Sequence, residues 1–416
     1  MNYGVITIGS RGDIEPFIAL GKGLLKRGHH VRITTFIKFK EYIESNGFEY
    51  CPLAGDAVEV IRLLVGEQVS SFEYFRNLEK LLNPVKEQFL FDIEKACQGM
   101  DAILYSTLGG VAWHVADKYG ISCFRVNFCP LDPTNEFPAM TTPILPLGAP
   151  YNRLTFWLGD RLWSHVTRKL LNDWRTKMGL PKIKPFSFPY RYLHGKEIPT
   201  LYAFSPIVSP KPHEYSNEKY ITGFWIEENE ENYQPDKKLA DFLNSDDKPI
   251  YIGFGSAVGG NFDQALSIVL ESLKKTNQRA ILSAGWGNLK GVDLPETVLQ
   301  VDYVPHRWLF KRVSAVAHHG GAGTTGAGIR AKVPSIIIPF GGDQPFWGNC
   351  VYKLGIGPKP ILRKKLNVNN LSNAIYQATH DLQMINEAQK IGSILNTENG
   401  VENAIQIIER KTIKSC

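Results

Sequence analysis

The sequence predicts an α/β protein made of two Rossmann-like domains that face each other across a deep cleft. Three observations carry this. The chain has 416 residues, more than a single hydrophobic core usually spans. Continuous apolar runs alternate with helix-patterned stretches in both halves, the signature of parallel strands covered on both faces. Between the halves lies PIVSPKPHEYSNEKYITGFWIEENEENYQPDKKL, rich in Pro, Asn and charge.

In the first half, residues 3–8 (YGVITI) read as a buried strand, followed by a Gly-containing loop and a helix from about Pro16 to Arg27. Gly28 ends that helix, and VRITTF begins a second strand. AILYS (102–106), a helix through Asp117 and SCFRVNF (122–128) repeat the theme. In the second half PIYIGFGS (249–256), RAILSAG (279–285), SAVAHH (314–319) and SIIIPF (335–340) read as strands with helices between them. The boundaries this implies are a first domain over 1–225, a linker over 226–240 and a second domain over 241–395. Residues 396–416 then form a helix crossing back to the first domain. Ligands of such sheets bind where loops leave the carboxyl ends of the strands.

Hydrophobic content of 43% and charged content of 21% fit an ordinary globular protein, and a net charge of +6 is too weak to argue for nucleic acid. No run approaches a membrane span, and residues 3–8 are too short for a signal-peptide core. Cysteines at 51, 97, 123, 129, 350 and 416 show no Cys-x-x-Cys pairing, so a reduced, cytoplasmic protein is expected. Charge is uneven, however. Ten Lys/Arg face two acidic residues between Tyr151 and Lys196, interleaved with Phe156, Trp157, Trp163 and Trp174. That composition suits an anionic membrane surface or the entrance for a lipid-like substrate. The commoner meaning of such a composition is a solvated helix face over core aromatics.

The chemistry gathers in DYVPHRWLFKRVSAVAHHGGAGTTGAGIRAKVPSIIIPFGGDQPFWG, residues 302–348. HHGGAGTTGAG follows an apolar strand and opens a helix. Gly320, Gly321 and Gly323 let backbone N–H groups approach a phosphate, and a helix start offers about half a positive charge. Thr324 and Thr325 add hydroxyls and His319 an imidazole donor, a set suited to charge growing on a departing diphosphate. His318 is expected to face the sheet. No Gly-Lys-Ser/Thr follows the glycines, so this is no kinase-type phosphate loop. The N-terminal GSRGD lacks Gly-x-Gly-x-x-Gly, and the second strand ends in Thr34, Thr35 and Phe36 without a ribose-binding carboxylate, which argues against a nicotinamide enzyme. Asp13, just past the first strand, either takes a proton from an acceptor hydroxyl or caps the following helix.

The runs GSRGDIEPFIALGKGLLKRGH, VPHRWLF, HHGGAGTT and PFGGDQPFWGN, in that order, resemble the nucleotide-sugar glycosyltransferases of the GT-B fold, in the large UDP-glycosyltransferase family. Within it the chain is most similar to the sterol glucosyltransferase branch and next to the glycopeptide-antibiotic branch. The resemblance implies a role for each matched residue. Asp13 is the general base, with Ser10 and Arg11 at the donor end of the cleft and Ser256 near the phosphates. Tyr303 and Val304 hold the uracil, and His306 lies beside base and ribose. His319, Ala322, Gly323 and Thr324 bind the diphosphate, and Asp343 with Gln344 grips glucose hydroxyls. Relatives from plant secondary metabolism hold the ribose with a Glu eight residues after the loop His, and that position is Ala327 here.

No Asp-x-Asp motif occurs, and cysteine and histidine spacings suggest no metal, so neither a metal nor a resident cofactor is expected. The nucleotide sugar is a co-substrate. The expected partners are that donor, a hydrophobic acceptor held by residues 56–99 and 130–190, and a peripheral membrane contact. His114 and Trp113 follow a strand and could face the cleft, although a core histidine is the commoner outcome. Alternatives on the same fold are a glycopeptide- or polyketide-type transferase and a nucleotide-sugar epimerase. From another class comes a silent lipid-binding relative.

Overall fold

The computed structural model describes residues 1–56, 83–140, 142–227, 233–245, 247–253, 262–283 and 293–413, and leaves aside the side chains of residues 83, 169, 170 and 262. Two parallel sheets organise the chain. The first has seven strands in the order β3-β2-β1-β4-β5-β8-β9. These are β1 Asn2–Ile6, β2 His30–Phe36, β3 Glu49–Leu53, β4 Ala102–Tyr105, β5 Ser122–Asn127, β8 Thr200–Tyr202 and β9 Lys219–Ile221. A small antiparallel hairpin, β6 Tyr192–Leu193 and β7 Lys196–Glu197, stands beside it. The second sheet has the order β12-β11-β10-β13-β14. Its strands are β10 Ile250–Gly253, β11 Ala280–Ser283, β12 Val298–Val301, β13 Val316–His318 and β14 Ser335–Ile337. Every pairing within these two sheets is parallel.

In each sheet the first strand lies inside, with successors on both sides: β1 between β2 and β4, and β10 between β11 and β13. Such a strand marks a topological switch point, where neighbouring loops diverge and open a crevice. The first turn of the helix after β1 carries Asp13, and the loop after β13 carries His319. Both therefore leave the sheets at crevice positions.

Two details differ from the sequence reading. The first helix begins at Arg11 rather than near Pro16, and Pro16 lies inside it. Ser10 and Asp13 form the capping box that starts the helix, a stronger start signal than a proline. The final residues of the expected linker are helical, because Asp236 caps the helix Lys237–Leu243 by accepting the Leu239 N–H at 2.8 Å. The ends of GFGS and LSAG lie outside the described residues.

The C-terminal helix Gly400–Ile413 packs on the first helix. A Cβ at Gly23 would stand 2.5 Å from the Ile405 Cδ1, so the two helices meet at a residue without a side chain. Ala404, Ile405 and Ile408 are built into the first domain's core, and Arg27 pairs with Glu402 and Glu409 at the rim. A separate apolar cluster joins the domains: Tyr202, Phe204 and Phe224 from one side, Ile337, Trp347 and Leu395 from the other. The cleft thus has a packed floor.

Candidate active site

On the first-domain side, Asp13 is fixed by the turn that precedes it. Its Oδ2 accepts the Ser10 backbone N–H at 2.7 Å and the Ser10 hydroxyl at 2.9 Å. A Cβ at Gly9, whose φ is +153°, would fall 2.3 Å from that same oxygen, so only glycine lets the carboxylate lie across the turn. Burial raises the Asp13 pKa above its ordinary value, and the Ser10 donors pull it back in part. Asp13 therefore completes the helix cap, and its carboxyl group is more basic than a free one.

Arg11, at the start of the same helix, reaches the other domain. Its Nη2 donates to the Tyr303 hydroxyl at 2.9 Å, with the guanidinium carbon 4.3 Å from the Tyr303 ring centroid, while its Nε pairs with Glu15 at 2.6 Å. Tyr303 is half exposed, as stacking on a base requires, but it shares its ring with Arg11. Val304 is buried among Trp308, Leu309 and Tyr251, so only its backbone can meet a ligand. His306 stacks on Phe310, centroids 4.5 Å apart, and its Nε2 lies 3.2 Å from the Tyr251 hydroxyl. Burial, with His319 and Arg11 nearby, lowers its pKa to about 4.

The glycine loop opens the helix Ala322–Arg330 with Gly321 at its cap. The first turn leaves the amides of Ala322, Gly323 and Thr324 without intrahelical acceptors. A Cβ at Gly323 would meet nothing within 4 Å, so no other part of the chain packs on that residue. His319 stands beside them, its pKa lowered by burial to about 4, hence a neutral donor near pH 7. Its Nε2 would lie 2.6 Å from a Cβ at Gly321. Thr325 is a correction: its side chain is fully buried and its N–H is spent on the Gly321 carbonyl at 2.9 Å, so it offers the cleft nothing. At the fourth helical position a side chain already turns into the core. His318 is buried, as expected, and accepts the Gly320 N–H at 3.0 Å. Ala327 packs partly buried against Val316 and its neighbours. Ser256 lies outside the described residues.

Asp343 is pinned by Trp347, whose indole N–H donates to Oδ2 at 2.8 Å. Burial raises its pKa to about 6, and the nearby Asp13 carboxylate pushes in the same direction. Both carboxylates also act on the Cys129 thiol, whose pKa is held up mainly by burial. The two halves thus bring their acids to one place. The Gln344 side-chain carbonyl accepts the N–H groups of Phe340 at 2.7 Å and Gly341 at 3.3 Å. A carbonyl spent on the loop leaves only the amide N–H₂ for a ligand, half the capability expected of this residue. Sequence reasoning missed Cys129 and Trp347, although Trp347 could have been found by its place one helical turn after Asp343.

His114 is a core histidine. It is fully buried, its Nδ1 lies 3.0 Å from Arg175 Nη1, and burial holds its pKa near 3. Arg175 in turn pairs with Asp117 at 2.8 Å.

Two Rossmann-like domains with a charged cleft between facing switch points define the GT-B architecture of glycosyltransferases. Residues 3–138 match the glycosyltransferase family 28 N-terminal domain, and residues 267–402 match the erythromycin biosynthesis protein CIII-like C-terminal domain. The chain is 38% identical to a sterol 3-beta-glucosyltransferase of Yarrowia lipolytica over 99% of its length, and 38% identical to one of Sclerotinia sclerotiorum over 97%. It spans 29% of the length of either relative. Among solved structures it resembles the glycotransferase of kitacinnamycin (TM-score 0.74, 16% identity, 98% of each chain). It also resembles the glycosyltransferase VinC in complex with DTDP (TM-score 0.65, 16% identity, 100% of each chain). The chain belongs to the glycosyltransferases of the GT-B fold, and over nearly its whole length it is similar to the part of the sterol 3-beta-glucosyltransferases that it spans.

Proposed function

We propose that this chain transfers glucose from a nucleoside diphosphate sugar, UDP-glucose in this reading, to the hydroxyl of a sterol-like apolar acceptor with inversion at the anomeric carbon. The observation that supports it most is the meeting of Asp13, after β1, with Asp343 and the His319 loop from the second domain. Asp13 takes the acceptor hydroxyl proton as the oxygen attacks the anomeric carbon. The bond from that carbon to the diphosphate oxygen breaks on the opposite face. Its electron pair leaves with the diphosphate, whose charge is met by the amides of Ala322, Gly323 and Thr324 and by neutral His319. Asp343 and the Gln344 amide orient the sugar hydroxyls. Because the helix start and His319 supply the electrostatics, the reaction needs no divalent cation. Sterol-like acceptors reside in membranes, so the reading includes work at a lipid surface by a chain whose described helices are none of them long and apolar enough to cross one.

Nucleoside diphosphate release from UDP-glucose, measured with and without a panel of sterols, flavonoids and polyketide alcohols, tests this. Release that depends on a sterol, with a β-glycoside product, is expected. Donor turnover without acceptor would indicate an epimerase, and no turnover with any donor would leave a silent binding protein.

A further inference from the structure

The first turns of the long helix Gly148–Lys177 turn polar residues inward and part of their apolar set to solvent. Surface helices turn charged and polar residues to water and apolar ones to the core. Here the inward side of the first turns carries Asn152 and Thr155. The Asn152 amide donates to the Asn135 carbonyl at 2.8 Å, and the Thr155 hydroxyl accepts the Ala139 N–H at 2.9 Å. The outward side carries Leu154, Trp157 and Leu158, each about half exposed (51–52%). Just before the helix, residues 143–147 (PILPL) are exposed throughout and fastened by the Tyr151 hydroxyl, which donates to the Pro143 carbonyl at 2.7 Å. Further along, Ser164 is buried by donating to the Ser187 carbonyl, and this brings the adjoining Phe186, 70% exposed, alongside the same helix. Phe186 has a φ of +61°, a rare conformation for a bulky residue. Trp174 and Phe156, by contrast, are core residues, so only part of this basic-aromatic segment is a surface.

An exposed apolar patch of this kind marks a contact with something apolar. Charge chooses the occupant. Arg153 is exposed beside the patch and the Arg161 guanidinium lies 4.8 Å from the Trp157 ring centroid, whereas Arg175 and Arg191 of the same basic segment turn inward to pair with Asp117 and with Asp132 and Asp160. A second copy docked by the same face would set Arg153 and Arg161 against one another. An anionic lipid surface meets both the cations and the apolar stripe.

We propose that this face, centred on Leu147, Leu154, Trp157, Leu158 and Phe186, docks the protein on an anionic membrane. It rests on the proposed use of an apolar acceptor and adds where that acceptor is met. The polar side of the helix holds the 135–139 segment, in which Phe137 packs edge-on against Phe346 at 5.1 Å, next to the Trp347 that pins Asp343. Docking therefore sets the acceptor-side loop and the sugar site close to the lipid.

Cosedimentation of the full chain with phosphatidylcholine–phosphatidylserine vesicles, and with phosphatidylcholine vesicles alone, tests this at low and high salt. Binding to the anionic vesicles, weakened by salt, is expected. L154S/W157S/L158S should weaken it about tenfold or more, and R153E/R161E, which keeps the apolar stripe, should abolish the preference for phosphatidylserine. All three proteins should keep the wild-type circular dichroism spectrum and melting temperature to within a few degrees, which shows that they fold. No wild-type binding to the anionic vesicles, or equal binding by the triple variant, overturns the proposal. A wild-type dimer that the triple variant dissolves reassigns the face to a second copy. The vesicle measurement uses no catalysis, so failure of glycosyl transfer leaves its result readable.

Discussion

Replacing Asp13 by Asn separates the two tasks that the carboxylate combines. Its Oδ2 receives both Ser10 donors, at 2.7 and 2.9 Å, and so holds the start of the first helix. An asparagine carbonyl keeps an acceptor for the Ser10 N–H and loses only the extra strength of an ionised one. That is a cost of about 1 kcal/mol, typical of a weakened cap. The proton acceptor itself disappears. General-base catalysis contributes about 10²–10⁴ in rate, or roughly 3–5 kcal/mol of barrier, several times the structural cost. Asp13→Asn should therefore lower kcat by that factor, leave the donor dissociation constant near wild type, and shift the melting temperature by only a few degrees. Single-turnover nucleoside diphosphate release, donor titration and a thermal melt read the three quantities. Ser10→Ala is the companion: removing one donor to the carboxylate should raise the Asp13 pKa further and move the acid limb of kcat/KM to higher pH. Wild-type turnover in Asp13→Asn would refute the assignment of the base. So would a loss of activity matched by unfolding.

Activity should survive excess chelator, whereas His319→Ala should cost about 10²–10³ in kcat; rescue of a chelated enzyme by magnesium or manganese would count against the loop as the diphosphate site. Asp343, with its pKa raised to about 6, is protonated below that pH and cannot then accept two sugar hydroxyls. Donor kcat/KM should accordingly fall as pH drops through about 6, and Asp343→Asn should flatten that limb while lowering activity at neutral pH. For the folded state the sign is opposite. A carboxyl group raised above its unfolded value stabilises the protein most at low pH and loses that contribution as pH rises through about 6, so Asp343→Asn should flatten the melting-temperature profile between pH 4 and 6. Gly320→Ala places a Cβ 2.6 Å from the Ile337 Cγ2 at a φ of +93°, and should destabilise the protein by about 1–3 kcal/mol in denaturant unfolding.

Strand runs such as AILY and SIII, and the glycine run after His319, announced parallel sheets and an anion-binding helix start in the sequence alone. They do so because parallel strands buried on both faces must be continuously apolar, and a close backbone approach requires residues without side chains. The resemblance picked out Asp13, Tyr303, His319 and Asp343 for the same reason: their positions are fixed by distance from a strand end. What the tertiary structure alone decided were relations between residues far apart in sequence. Arg11 on the Tyr303 ring, Asp13 acting on Asp343, and the C-terminal helix against Gly23 all depend on how two domains meet. Local pattern carries no record of that. Solvent direction was equally hidden. Thr325 and Trp174 turned inward while Leu154 and Trp157 turned out, because the facing of a helix is set by what packs on it. Here the 135–139 segment took the polar side and left the apolar one outside.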